Sequence, residues 1–286
     1  MNLTSGHTVF SRYTLKRLLG EGGMGVVWLA HDPVIEQDVA LKFLSQGVVH
    51  DRRAIDRLRH ETRRNLKLTH PNIVRIHDFV QSAEGAAIVM EYIDGWSLWT
   101  IRSSKPRPIL EVTEITPWLL DLCLTLDYAH QHARIVHRDL NSANLMLNKR
   151  GQLKVTDFGL AREIRRTRPA ESAHPQFLGT EVYMSPQQWS GEPACVGDDI
   201  YSLGATLYEM LTSKPPFFEG DIFEQLHAKT PPSLSERLFE LGFEDIEIPL
   251  IWEETIAACL AKEAAQRPGT AGQVAARLGL TAEGHF

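Results

Sequence analysis

Four of the six residues from 20 to 25 are glycine, and the segments on both sides have strand character. Gly20-Glu21-Gly22-Gly23-Met24-Gly25 joins the short runs 13–20 and 25–31. Glycine lets a backbone turn tightly and approach a phosphate oxygen with no side chain in the way. A dinucleotide fold needs a helix directly after such glycines, but Val26-Val27-Trp28-Leu29-Ala30 is strand chemistry. The chain is therefore expected to form a hairpin here. On this feature alone, an ordinary hairpin turn explains the glycines as well as a phosphate cradle does.

The rest of the chain divides by pattern. Residues 38–43 alternate enough for a third strand, and 53–68 read as a helix rich in Arg and Glu, stopped before His70-Pro71. Two more strand-like runs follow, 74–80 and 86–91, until Asp94-Gly95 breaks the pattern. Beyond it the spacing of apolar residues turns helical over 113–133, 196–212, 252–260 and 271–278. The expectation is an α+β, bilobal architecture. A small β-rich N-lobe with one main helix (about 13–91) meets a hinge (about 91–96) and a larger helical C-lobe (about 97–286), after an N-terminal extension, 1–12. A crevice between two lobes is a usual place for a ligand. Residues 161–178 mix Arg, Pro, Ser and His in a stretch long for a loop, which points to function.

Composition removes several classes. Apolar residues make up 43% and charged residues 23%, a soluble globular profile. A formal net charge of −6 argues against nucleic acid as a partner. The N-terminus lacks a signal-peptide pattern, and no apolar run approaches the ~20 residues of a membrane helix. A cytoplasmic location without a membrane segment is expected. Cys123, Cys195 and Cys259 are far apart, which suits buried thiols better than a metal site or disulfides.

Chemistry concentrates in a few segments. Val39-Ala40-Leu41-Lys42 ends an apolar strand with a lysine at the distance from the glycines that a phosphate-gripping lysine requires. Glu61, in the 53–68 helix, is placed to pair with it, although a plain surface charge is the simpler alternative. His137-Arg138-Asp139-Leu140-Asn141-Ser142-Ala143-Asn144 and then Asp157-Phe158-Gly159 complete an ordered set. Together these motifs resemble the protein-kinase signature. With Tyr183-Met184-Ser185-Pro186 and Asp199-Ile200-Tyr201-Ser202-Leu203-Gly204, the chain is most similar to bacterial (eukaryotic-like, Hanks-type) serine/threonine kinases.

The resemblance implies an enzyme that moves the γ-phosphoryl of ATP to Ser/Thr hydroxyls of proteins, with magnesium as metal and manganese as a substitute. In it, Asp139 is the base that orients the hydroxyl, and Asn144 and Asp157 are the metal ligands. Lys42, held by Glu61, contacts the phosphates beneath the backbone of Gly20, Glu21, Gly22, Gly23, Met24 and Gly25. Met90 backs the adenine, the backbone of Glu91 to Ile93 bonds its edge, and Val27, Ala40 and Met146 sandwich it. Thr180 bonds Asp139, and Asp199 braces the catalytic loop. Arg138, with Arg57 and Arg162, implies control by a phosphate on Ser172 or, second, Thr167. Self-association for autophosphorylation in trans follows, and Glu209 is a candidate reader of a basic substrate residue against a structural role.

Two positions depart from the pattern. Asn141 replaces a lysine, bringing a hydrogen bond without charge, so Asn141→Lys is expected to raise the rate. Gln187 replaces a glutamate that pairs with the arginine Arg267 resembles. These departures support a pseudokinase or nucleotide-binding scaffold as the alternative. A small-molecule phosphotransferase fits less well because such enzymes lack the stretch 179–187.

Overall fold

A computed structural model describes residues 3–22, 25–83, 85–159 and 181–281. The chain forms two compact units: one takes residues through 94 together with 157–159, the other residues 95–156 and 181–281.

The first unit is built on an antiparallel sheet. Its strands are β1 (Thr8–Val9), β2 (Tyr13–Gly22), β3 (Gly25–Asp32), β4 (Gln37–Leu44), β5 (Ile76–Ser82) and β6 (Gly85–Glu91), in the order β1-β2-β3-β4-β6-β5. β4 lies between β3 and β6 and is buried from Val39 to Leu44, so its sequence is an apolar run rather than an alternation. Leu15, Trp28, Leu41, Phe43 and Val89 fill the core of this sheet. Register puts Val27 and Ile88 beside Lys42 on the neighbouring strands, and Met90 beside Ala40. The expected hairpin forms: Gly20 pairs with Val27 and Gly22 with Gly25. Glycine at 25 is obligatory, because φ is +135° and an added Cβ would stand 1.9 Å from the Phe43 carbonyl oxygen.

Two helices accompany the sheet, α1 (Gln46–His50) and α2 (Arg52–Asn65). Asp51 starts α2 by accepting from the Arg53 and Ala54 amides at 2.9 and 3.2 Å. Ala54, Ile55, Leu58, Thr62 and Asn65 form its buried face, and the arginines lie outside it. The helix ends at Asn65, short of the expected 68, as Leu66 and Lys67 close in a turn.

The second unit is mainly helical. A three-stranded sheet is formed by β7 (Gly95–Ser97), β8 (Leu145–Asn148) and β9 (Leu153–Val155), with β8 directly following the segment 137–144. The helices are α3 (Leu98–Ser103), α4 (Val112–Tyr128), α5 (Pro186–Trp189), α6 (Val196–Thr212), α7 (Ile222–Ala228), α8 (Leu234–Glu240), α9 (Leu250–Cys259) and α10 (Ala271–Arg277). α6 is buried from Asp198 to Thr212 and forms the centre of this unit. Gly204 lets α9 approach it: a Cβ there would meet the Cys259 Cβ at 2.5 Å. The expected helix 113–133 is interrupted, since Ala129–Ala133 is a π-helical turn closed by left-handed Arg134.

No helix among the described residues is long and apolar enough to cross a membrane. Cys123 and Cys259 are buried as expected, but Cys195 is exposed before α6, where its backbone amide donates to Asp198.

Candidate active site

The segment 137–144 is held by hydrogen bonds from several directions. Asp199, the second acidic residue of α6, accepts from the backbone N–H of His137 at 2.7 Å and of Arg138 at 2.8 Å. Its carboxylate also contacts His130 Nε2 at 2.7 Å. Burial would raise this acid, but the His130 hydrogen bond, the charges of His130 and His137, and the Arg138 amide together hold it below its ordinary value. Arg138 adopts a left-handed φ of 68°, and Gln188 Nε2 donates to its carbonyl at 3.1 Å. Asp198 is engaged elsewhere, with Ser185 Oγ at 2.6 Å.

Asp139 is buried, and its carbonyl oxygen accepts two carboxamides: Asn141 Nδ2 at 2.8 Å and Asn144 Nδ2 at 2.7 Å. Asn144 Nδ2 also reaches the Asp139 carboxylate at 3.0 Å, which directs that group. The structure gives Asn141 a second task as well: its Oδ1 accepts the Ala143 amide at 2.9 Å, and the side chain is 3% exposed. Both ends of the amide are therefore used inside the loop. Asn141 is a loop staple, which argues against the expected gain from lysine at this position.

In the strand-rich unit, Lys42 is 5% exposed on β4. Its ammonium lies 2.8 Å from Asp157 Oδ1, an ionic contact without the alignment of a hydrogen bond. The expected Lys42–Glu61 pair is not the one formed. Asp157, at a left-handed φ of 65°, brings its carboxylate to the lysine, and Glu61 instead takes Arg64, one turn along α2, at 3.3 Å. Glu61 still faces the Asp157-Phe158-Gly159 segment, since a Cβ on Gly159 would lie 3.4 Å from its Oε2. Asn65, four residues further, donates to the Phe158 carbonyl at 2.5 Å. Met90 and Ala40 are buried, and Glu91 bonds back through its amide to the Arg75 carbonyl at 2.8 Å. Ile93 is buried, Val27 half-buried on β3, and Met146 half-buried on β8 in the other unit.

Glu209 takes the structural role. It is 3% exposed, bonds Arg102 Nη2 at 2.7 Å and accepts from Ser142 Oγ at 2.7 Å, so no substrate side chain is needed to neutralise it. Gln187 holds the arginine as an amide: Arg267 Nη2 donates to its Oε1 at 2.7 Å. Gly23, Met24, Arg162, Thr167, Ser172 and Thr180 lie outside the described residues. The sequence reading missed Asn65, His130, Gln188 and Ser142. Of these only Asn65 carried a signal, its i,i+4 relation to Glu61.

Residues 13–276 match the family described as "Protein kinase domain", and the chain belongs to it. It resembles the bacterial serine/threonine branch: it is 38% identical to serine/threonine-protein kinase PknB of Mycolicibacterium smegmatis over 77% of this chain and 35% of that protein. The identity to PknB of Mycobacterium leprae is 35%, over 96% of this chain and 44% of that one. The chain thus spans less than half the length of these relatives. Among solved structures, the Mycobacterium tuberculosis PknI kinase domain superposes with a TM-score of 0.75 at 27% identity, covering 97% of this chain and 98% of the other. The bilobal α+β kinase fold is that of this chain. The family uses ATP and a divalent metal.

Proposed function

We propose that this chain transfers the γ-phosphoryl group of ATP to serine and threonine hydroxyls of protein substrates. One observation carries the proposal. Asp139 is oriented by Asn144 and Asn141, in a loop whose backbone is fixed by buried Asp199. A base fixed in this way can orient a hydroxyl before reaction, so reorganisation costs little at the transition state. Asp139 accepts the hydroxyl proton as its oxygen bonds to phosphorus, and the β–γ bridging oxygen leaves with ADP. Lys42 is assigned to the α and β phosphates, Glu61 is the carboxylate it would take on leaving Asp157, and Thr180 is assigned to Asp139. The adenine contacts are assigned to Met90, Ala40, Val27 and the backbone of Glu91 and Ile93.

The available oxygens suit a hard cation such as magnesium. Asp157 Oδ1 makes an ionic contact to Lys42 and no hydrogen bond, so a metal would take it as the lysine leaves, and Asn144 donates through Nδ2, leaving its Oδ1 for a metal. When bound, the metal neutralises phosphate charge. Control by phosphate on Ser172 or Thr167 is part of the proposal. It is supported by Arg138, whose Nε is buried without a hydrogen bond. Autophosphorylation in trans would make a second copy of the chain a partner.

The test is phosphate incorporation by the purified chain with magnesium and ATP, mapped by mass spectrometry. Transfer to Ser or Thr that disappears in Asp139→Asn supports the proposal. Nucleotide binding without transfer in the wild type leaves a pseudokinase instead.

A further inference from the structure

The peptide that leads into Asp139 is held at both of its polar ends. Its N–H, on Asp139, donates to His137 Nδ1 at 3.3 Å, and the other ring nitrogen of His137 lies 2.9 Å from the Thr156 carbonyl, which fixes Nε2 as the protonated one. Its carbonyl, on Arg138, accepts from Gln188 Nε2 at 3.1 Å. Among the described residues no other group donates to that carbonyl. Arg138 stands at a left-handed φ of 68°, a conformation that a side-chain-bearing residue keeps only where its neighbours impose it. Asp199 on α6 fixes the amide side of Arg138, and Gln188 on α5 fixes the carbonyl side.

Gln188 has a second, local duty. Its Oε1 accepts the Ser185 amide at 3.1 Å while its own amide donates to Ser185 Oγ at 3.0 Å, a reciprocal capping box at the start of α5. Ser185 Oγ in turn donates to buried Asp198 of α6 at 2.6 Å, so the start of α5 is pinned to α6. The partners fix the orientation of the carboxamide, because its oxygen must meet the Ser185 N–H and its nitrogen the Arg138 carbonyl. A capping box asks only for an oxygen at this position, and glutamate serves it as well as glutamine. The side-chain nitrogen of Gln188 is therefore superfluous to the helix. Among the described residues it bonds the Arg138 carbonyl alone.

We propose that Gln188 is a positioning residue for the base: through Nε2 it sets the plane of the 138–139 peptide, and with it the direction in which Asp139 presents its carboxylate. The inference rests on the proposed phosphoryl transfer, in which Asp139 receives the hydroxyl proton. Gln188 itself touches no reacting atom and acts through Arg138. Without its donor the carbonyl is free to turn, and the peptide relaxes from the left-handed region. The hydroxyl then meets a base that must be reoriented in the transition state. That slows transfer and leaves nucleotide affinity alone.

Two substitutions separate the donor from the cap. Gln188→Glu keeps an oxygen for the Ser185 amide and removes the donor, whereas Gln188→Met removes both and adds no charge. With magnesium, ATP and a mixed serine/threonine peptide library as acceptor, both variants are expected to lower kcat about tenfold, the worth of one positioning hydrogen bond, with KM for ATP unchanged. Only Gln188→Met should lower Tm, by about 2–4 °C. By NMR of the whole chain without nucleotide, the Asp139 amide should exchange with deuterium about tenfold faster in both variants. A Gln188→Glu chain as fast as the unaltered one, with only Gln188→Met slowed, overturns the proposal, since the residue is then a helix cap alone. A raised KM for ATP at unchanged kcat overturns it too. If Gln188→Met does not fold, Gln188→Glu decides by itself. Absence of transfer in the unaltered chain would strike the proposed function, and the Asp139 exchange rates would then decide whether Gln188 holds this peptide.

Discussion

The catalytic loop and the lysine strand handle charge in opposite ways. In the loop, Asp199 takes two backbone amides and His130, and the Asp139 carbonyl takes two carboxamides, so each group is fixed by several partners. On the strand side, Lys42 is held by one ionic contact to Asp157, with Glu61 on the adjacent helix bonded to Arg64. A loop fixed by many bonds has one arrangement, whereas a lone ammonium can change partners. Asp139, the proposed base, thus sits in a loop built to be static, and Lys42, the proposed phosphate contact, is built to exchange.

The largest effect should come from the static side. Asp139→Asn keeps the shape of the loop but cannot accept a proton, and transfer should fall by roughly 10²–10⁴-fold with nucleotide affinity retained. Steady-state transfer and a nucleotide titration check both halves. Next is Asp199→Asn. An amide cannot accept from both the His137 and Arg138 amides and answer His130 as well, so unfolding free energy should drop by about 3 kcal/mol. The acid has a lowered pKa in the fold, so its contribution is fully present above its ordinary value of 3.8 and is lost as pH falls through the folded value. Denaturant titrations from pH 5 downward, through 3.8 and below it, should show a shallower acid decline in Asp199→Asn than in the unaltered chain. An identical decline would mean that Asp199 is not the brace.

Much of this was legible in the sequence because short motifs fix backbone geometry. The glycine run chose its hairpin, Lys42 its strand, and the spacing to Tyr201-Ser202-Leu203-Gly204 selected Asp199 over Asp198. Contacts made across long sequence separations were not legible. Whether Glu209 faced a substrate depended on Arg102, 107 residues away. The Asn141 contact is local, two residues to the Ala143 amide, but residue type alone does not say whether an amide side chain turns back on its own loop or outward. The partner of Lys42 was missed for a related reason: two carboxylates could serve, and a left-handed backbone at Asp157, which no spacing announces, decided between them. Short elements such as β7, β9 and α5 are below the length at which periodicity speaks.

Asn141→Lys sharpens the static half of the comparison. Sequence logic favours a faster enzyme, since a cation near the transferring phosphate stabilises developing charge. The structure favours a slower one. Lysine has no acceptor for the Ala143 amide, and its ammonium cannot stay buried at the Asp139 carbonyl. A fall in kcat of about tenfold with little change in KM for ATP is expected, the size of one lost loop bond. Faster exchange of the Ala143 amide with deuterium should accompany it. A higher kcat would show that the staple is dispensable.

The smallest effect tests the exchangeable half. Glu61 pairs with an Arg64 side chain that is 43% exposed, and such pairs contribute roughly 0–1 kcal/mol. Glu61→Gln should therefore change unfolding free energy by less than about 1 kcal/mol. Asp157→Asn should cost more, because it leaves the buried Lys42 ammonium without its ionic partner. The two changes combined with Lys42→Met give the coupling energies directly. A large Lys42–Asp157 coupling and a near-zero Lys42–Glu61 coupling in the resting chain are expected. Equal couplings would mean that the lysine is already shared at rest, and the contrast with the catalytic loop would then fail. If the resting contrast holds while Glu61→Gln still slows phosphoryl transfer, Lys42 must change partners during turnover. That outcome requires a carboxylate which contributes little to stability and is nevertheless needed for rate, and the placement of Glu61 beside Gly159 supplies one within reach of the segment that now occupies the lysine.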